Sequence, residues 1–181
     1  IDSEGIQTVA VTGDIVYSSA HPNEAIDLLR TRNCPIIGGE RDRTVVSFTR
    51  KKNSLRKRLS GDEFDSIERT FNALRCENIE FLHGLPGHRI MNADGTDAFL
   101  CYGTPNGVND LLQPDDDAPR LRRLRELANC PVIICGGGSE HFHRIIDLTL
   151  FVSPGSLPQY ALIDTEEDPW RVDFLDVSTN T

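Results

Sequence analysis

Three short apolar runs, each breaking off into glycine, constrain this chain more than any other feature. "IQTVAVT" (6–12) ends at Gly13-Asp14, "CPIIGG" (34–39) closes on Gly38-Gly39, and "PVIIC" (131–135) runs into Gly136-Gly137-Gly138. Runs this short and this rich in β-branched residues suit buried strands better than helices. Between the first two lies "PNEAIDLLRTR", with Pro22 and Glu24 at its start and Ile26, Leu28 and Leu29 as an apolar stripe, which predicts a helix. Strand, helix, strand is a βαβ unit. Ligands in sheets of this kind gather at the carboxyl ends of the strands. That places Asp14 near the loop "GGERD" (38–42).

The pattern changes along the chain. From Arg50 to Leu82 it is polar with helical spacing at Phe64, Ile67, Phe71 and Leu74. "HRIMNADGTDAFLCYG" alternates around an Asp-Gly turn and predicts a β-hairpin. "DDDAPRLRRLRELANC" predicts an amphipathic helix with Leu121, Leu124 and Leu127 toward the core and aspartates at its positive end. The last third, "LTLFVSPG…YALIDT…WRVDFLDV", reads as strands joined by turns, with Ser153 to Ser156 as one of the turns. The expected architecture is α/β, parallel strands first and antiparallel strands later, in a two-sheet sandwich flanked by helices. At 181 residues, a single domain over 1–181 is expected.

Charge and cysteine usage exclude several classes. The net charge of −9 argues against a nucleic-acid binder for the chain as a whole. The basic run "RKKNSLRKR" (50–58) reads as a solvated helix face. Five scattered cysteines without a CxxC pair do not make a disulfide framework, and a reduced, cytoplasmic setting fits them. No apolar run approaches the ~18 residues of a membrane span.

The stretch "CGGGSEHFHR" (135–144) carries the most chemistry. An H-x-H pair on an extended loop aims two imidazoles at neighbouring points, and imidazole suits zinc, manganese and iron. Asp14 and Glu40 or Asp42 would add hard oxygen donors from strand-end loops. Alone, H-x-H is a weak motif, and turn or cap chemistry explains Asp14 equally well. His21, His83 and His88 have no partners at useful spacing and read as structural.

The order of these motifs resembles the calcineurin-like metallophosphoesterases, in particular their small prokaryotic phosphodiesterase branch. "VTGDIV" is similar to that family's strand ending in Gly-Asp, and "PNEAIDLLR" to the helix that follows it. "GGERD" stands where the family has Gly-Asn-His-Asp, "CYGTP" where it has His-Gly-Ser-Pro, and "EHFHR" where it has Gly-His-Thr-His-Arg. "IEFLHGLP" resembles the lead into its central hairpin, and "SPGS" with "YALID" its closing segment. The resemblance implies that Asp14 bridges two divalent metals, that His141 binds the second and His143 the first, and that Glu40 and Tyr102 occupy further ligand positions of the second. It also implies that Arg41 stands where a histidine serves the leaving group, with Asp42 as that residue's partner. All five metal-ligand positions would then converge on one cleft.

Three of these positions depart from the family. Glu40 adds a charge that asparagine lacks. Tyr102 is a poor ligand at neutral pH, since a phenol ordinarily titrates near ~10. Arg41 stays protonated and cannot act as a general acid, although its guanidinium can grip a phosphate oxygen. The family's first strand, ending in Asp-x-His, has no counterpart before Ile6, so the family's first strand and helix are absent from the sequence as given. The expectation is a degenerate metallophosphoesterase-like protein, weakly active or inactive, serving as a binding or regulatory module. It would hold at most one divalent ion (Mn, Zn or Fe), or none. Its partner would be a phosphate-ester small molecule or a protein, without nucleic acid or membrane, and a homo-oligomer is compatible. The alternative is an active metal-dependent phosphoesterase.

Overall fold

The computed structural model describes residues 6, 8–17, 19–93, 95–165, 167 and 170–177. The chain forms two compact units, Ile1–Pro86 and Gly87–Thr181.

The first unit is helical: α1 (Pro22–Arg32), α2 (Glu40–Val46), α3 (Phe48–Arg58), α4 (Gly61–Ala73) and α5 (Cys76–Gly84). Their apolar faces meet in one cluster built on Val16, Ile26, Val45, Phe48, Leu55, Phe64, Ile67, Leu74 and Leu82. Helix α4 starts sharply because Ser60 and Glu63 form a reciprocal cap: the Glu63 N–H donates to the Ser60 hydroxyl, and the Ser60 N–H to the Glu63 carboxylate. A polar seam ties α1 to α4 and α5. Asn23 donates to the Ala73 carbonyl and accepts from the Arg75 N–H and from the fully buried Asn78.

Two sequence expectations fail in this unit. The runs 6–12 and 34–39 were expected to be strands, yet they meet only at a single parallel bridge, Val11 with Ile36. That bridge rests on two hydrogen bonds, Val11 N–H to the Pro35 carbonyl at 2.9 Å and Ile37 N–H to the Val11 carbonyl at 3.0 Å. Gln7 lies outside the described residues. A β-branched run becomes a strand only when neighbours extend its ladder, and among the described residues this pair extends no further. In α1, Ile26 is buried but Leu28 is 55% exposed, because two residues on from Ile26 the helix has turned through about 200°.

The second unit holds the sheet. Its strands are β1 (His88–Ala93), β2 (Thr96–Tyr102), β3 (Val132–Gly136), β4 (His141–Ile146), β5 (Thr149–Pro154), β6 (Gln159–Asp164) and β7 (Arg171–Asp176), with α6 (Ala118–Ala128) between β2 and β3. Five strands run in the order β1-β2-β3-β5-β4, and β6 pairs with β7 in a separate ribbon. The centre, β2-β3-β5, is parallel, and β1 and β4 join antiparallel at the edges. Pairing of Ala93 with Thr96 sets the two-residue turn foreseen between β1 and β2, and Gly95 takes φ 84° there. Period-two alternation gives the sheet two apolar faces. Ile133, Cys135 and Phe151 pack with Leu121, Leu124 and Ala128 of α6, while Val132, Leu150 and Val152 pack with Val172, Ile163 and Phe174 of the ribbon. This is the expected α/β architecture, with parallel and antiparallel strands and a second small sheet.

Leu127, expected in the core, is 58% exposed, and Ala128 is buried in its place. Position i+7 from Leu121 returns to the same helix face, whereas i+6 falls about 120° short of it. Ser153 and Pro154, expected in a turn, close strand β5, and the chain bends at Gly155 with φ 79°. No helix among the described residues is long and apolar enough to cross a membrane.

Candidate functional site

The first unit holds Asp14, Glu40, Arg41 and Asp42. Asp14 is not at a strand tip. It follows Gly13 (φ 97°) and itself adopts φ 57°, the left-handed conformation that short polar side chains tolerate. This kink turns its carboxylate onto the start of α2. The Arg41 N–H donates to Asp14 Oδ1 at 3.0 Å, and Arg41 Nε stands 3.6 Å from Oδ2. The guanidinium also lies over the Tyr17 ring, 4.7 Å from its centroid. Glycine is required at position 39 by close approach, because a Cβ there would overlap the Asp14 carboxylate and backbone nitrogen.

Asp42 is buried and acts on the backbone. Its Oδ1 accepts the Val16 N–H at 3.1 Å and its Oδ2 accepts the Gly39 N–H at 3.0 Å. It thereby caps α2 and pins the segment after Asp14. Burial pushes its carboxyl above the usual carboxylate range, and nearby Asp14 adds to that, against the opposing backbone donors. Tyr17 is likewise pushed up, first by burial and then by Glu63, with Arg41 opposing. Glu40 is exposed, as the first residue of α2.

The second unit holds Tyr102, His141 and His143. The two histidines were expected on a loop, but they belong to β4, an edge strand. The correction strengthens their pairing, because residues two apart in a strand share a face. Phe142 packs on the α6 side, and both imidazoles lie toward Phe174 of β7, with ring centroids 4.7 Å (His141) and 6.1 Å (His143) away. Tyr102 ends β2 and is buried. Of the two glycines after β3, Gly137 takes φ 86°, and a Cβ there would stand 2.8 Å from the Tyr102 ring. Gly138 passes close to Ser153, whose hydroxyl donates to the Glu140 carbonyl at 2.9 Å.

Sequence reasoning missed a polar network beyond Tyr102. Thr104 Oγ1 donates to Asp110 Oδ2 at 2.6 Å, and Arg120 donates to Asp110 Oδ1 at 2.9 Å while standing 3.1 Å from Asp116 Oδ1. Burial alone would raise the Asp110 pKa. The hydrogen bonds from Thr104 and Asn106 and the Arg120 charge outweigh it and hold the carboxyl below its usual range. The segment "GTPNGVND" carried a signal, an aspartate six residues beyond a buried threonine, but turn composition masks it.

Among the described residues, no three His, Cys, Asp or Glu side chains stand together as a group that could hold a metal ion. No step of chemistry is derived through a metal.

No protein-family model matches the chain. An uncharacterized protein of Methanocaldococcus jannaschii is 31% identical over 122 residues, which are 64% of this chain and 46% of that protein, so the chain spans about half the length of this curated relative. Among solved structures, a hypothetical protein of Pyrococcus horikoshii OT3 superposes with a TM-score of 0.81 at 20% identity, over 97% of this chain and 77% of the other. A metallophosphoesterase of Sphaerobacter thermophilus superposes at 0.69 with 17% identity, over 98% and 80%. The chain has the calcineurin-like metallophosphoesterase fold. An archaeal phosphodiesterase shares the same fold at a TM-score of 0.51 and 17% identity, over 96% of this chain and 86% of the other. At these identities the likeness is one of fold, and the metallophosphoesterase fold does not by itself carry activity to this chain.

Proposed function

We propose that this chain is a divergent metallophosphoesterase-like module with a degenerate site. It binds a phosphate ester or a protein partner without efficient hydrolysis and holds at most one divalent ion. The observation that supports this most is the engagement of Asp14 by Arg41. A carboxylate that bridges metals must turn its oxygens to cations, and here the Arg41 N–H and guanidinium meet them. A guanidinium neutralises such a charge at every physiological pH, needs no metal, and cannot relay a proton to a leaving group. The pairing is half-exposed, with 55% of the Arg41 side chain open to solvent, so the same guanidinium remains able to meet a phosphate oxygen. A second reading, an active metal-dependent phosphoesterase, is favoured by His141 and His143 sharing one strand face.

Hydrolysis of bis-p-nitrophenyl phosphate with added manganese separates the two. The degenerate reading expects no turnover above that of D14N. Turnover that D14N abolishes would establish the active enzyme instead.

A further inference from the structure

Helix α3 carries six cations in eleven residues and no acid: Arg50, Lys51, Lys52, Arg56, Lys57 and Arg58. They divide into two sets. Lys52 is tied to Glu68 at 2.5 Å and lies over Phe48, and Arg56 stacks on Phe64. Arg50, Lys51, Lys57 and Arg58 are exposed and form no ion pair among the described residues. These four form two adjacent pairs seven residues apart. On a helix that spacing returns to one face, about 10 Å further along the axis. Phe48 and Leu55 turn a different stripe of the helix into the core. Two of the acids on α4 are committed, Glu63 to its cap with Ser60 and Glu68 to Lys52.

We propose that this face of α3 binds the phosphate backbone of a nucleic-acid strand. The face offers cations and nothing apolar, and that decides among anionic partners. An acidic protein segment would gain only exposed ion pairs, each worth no more than about a five-fold change in an equilibrium, with no buried anchor to hold it. A membrane surface would hold this face by charge alone, without the apolar insertion that strengthens interfacial helices, since α3 has spent its apolar side chains in the core. A nucleic-acid strand differs because it carries condensed counterions, and their release stabilises a purely ionic contact. The net charge of −9 does not extend evenly to this region. Residues 1–86 carry twelve Lys and Arg against thirteen Asp and Glu, while 87–181 carry seven against fifteen. The inference does not depend on hydrolysis or on metals, so it stands or falls separately from the proposed function.

The test is fluorescence anisotropy of a labelled 20-nucleotide single strand with the full chain, in EDTA. The expected dissociation constant at physiological salt is about 10⁻⁴–10⁻⁶ M, the range of non-specific binding. At about −0.7 per phosphate, four contacts give a log–log salt slope near −3, or roughly a fifty-fold loss between 50 and 200 mM. The quadruple variant R50Q/K51Q/K57Q/R58Q should lose binding while keeping the far-ultraviolet circular dichroism of the parent. Binding weaker than millimolar, or a slope unchanged in the quadruple variant, overturns the proposal. So does equal competition by polyglutamate, or four-cation-dependent binding to phosphatidylserine vesicles without binding to the strand.

Discussion

Asp42 does its work through two backbone N–H groups, one on each carboxylate oxygen. Asparagine can match only one of them, since its amide nitrogen would face the other donor. D42N should therefore destabilise the protein by about 1–3 kcal/mol, the usual range for an orphaned buried donor. The pH dependence has a definite sign. Burial places the folded pKa of Asp42 above its unfolded value, so the stability it contributes is complete below the unfolded pKa and declines as pH rises through the folded one. Urea denaturation of both proteins between about pH 4 and 7 should show a gap that narrows with rising pH and then levels off. A widening gap would mean that the carboxyl is depressed. Gly39 gives a second test at this scale. It has φ −82°, which any residue adopts, so G39A is penalised only by overlap with Asp14. The expected loss is about 1–3 kcal/mol, typical of overpacking, and a melting temperature equal to the parent's would show that the Asp14 turn relaxes freely.

At the scale of elements, α6 separates pattern from position. L121A removes a fully packed side chain and should cost about 2–5 kcal/mol. L127A, at a 58% exposed site, should stay within about 0.5 kcal/mol. Equal losses would place Leu127 in a contact this structure lacks. Helices α1, α4 and α6 and the β1–β2 hairpin were legible because caps, turn residues and period are local: Asp117 caps α6, and Gly95 serves the turn; α2 was not, since "GGERD" reads as a loop but Glu40 opens a helix. The runs 6–12 and 34–39 were not, since a strand is defined by its partners and local sequence does not report them. The strand status of His141 and His143 was hidden for the same reason, because β4 owes its form to pairing with β5. The candidate residues themselves were legible, but what each one touches was not. The sequence marks Arg41 as a guanidinium able to grip a phosphate oxygen, while its contacts with Asp14 and the Tyr17 ring are set by the fold.

At the scale of the molecule, the fold is shared with a metallophosphoesterase of Sphaerobacter thermophilus, while the Asp14 carboxylate meets the backbone N–H and the guanidinium of Arg41. A working two-metal centre needs ligands enough to fix both ions. On the proposed reading, in which Arg41 meets the Asp14 carboxylate, the protein should retain little metal through purification. Elemental analysis of the chain, grown with manganese and zinc and then desalted, measures this directly. The predicted result is at most one divalent ion per chain, and two tightly held ions per chain would contradict the account.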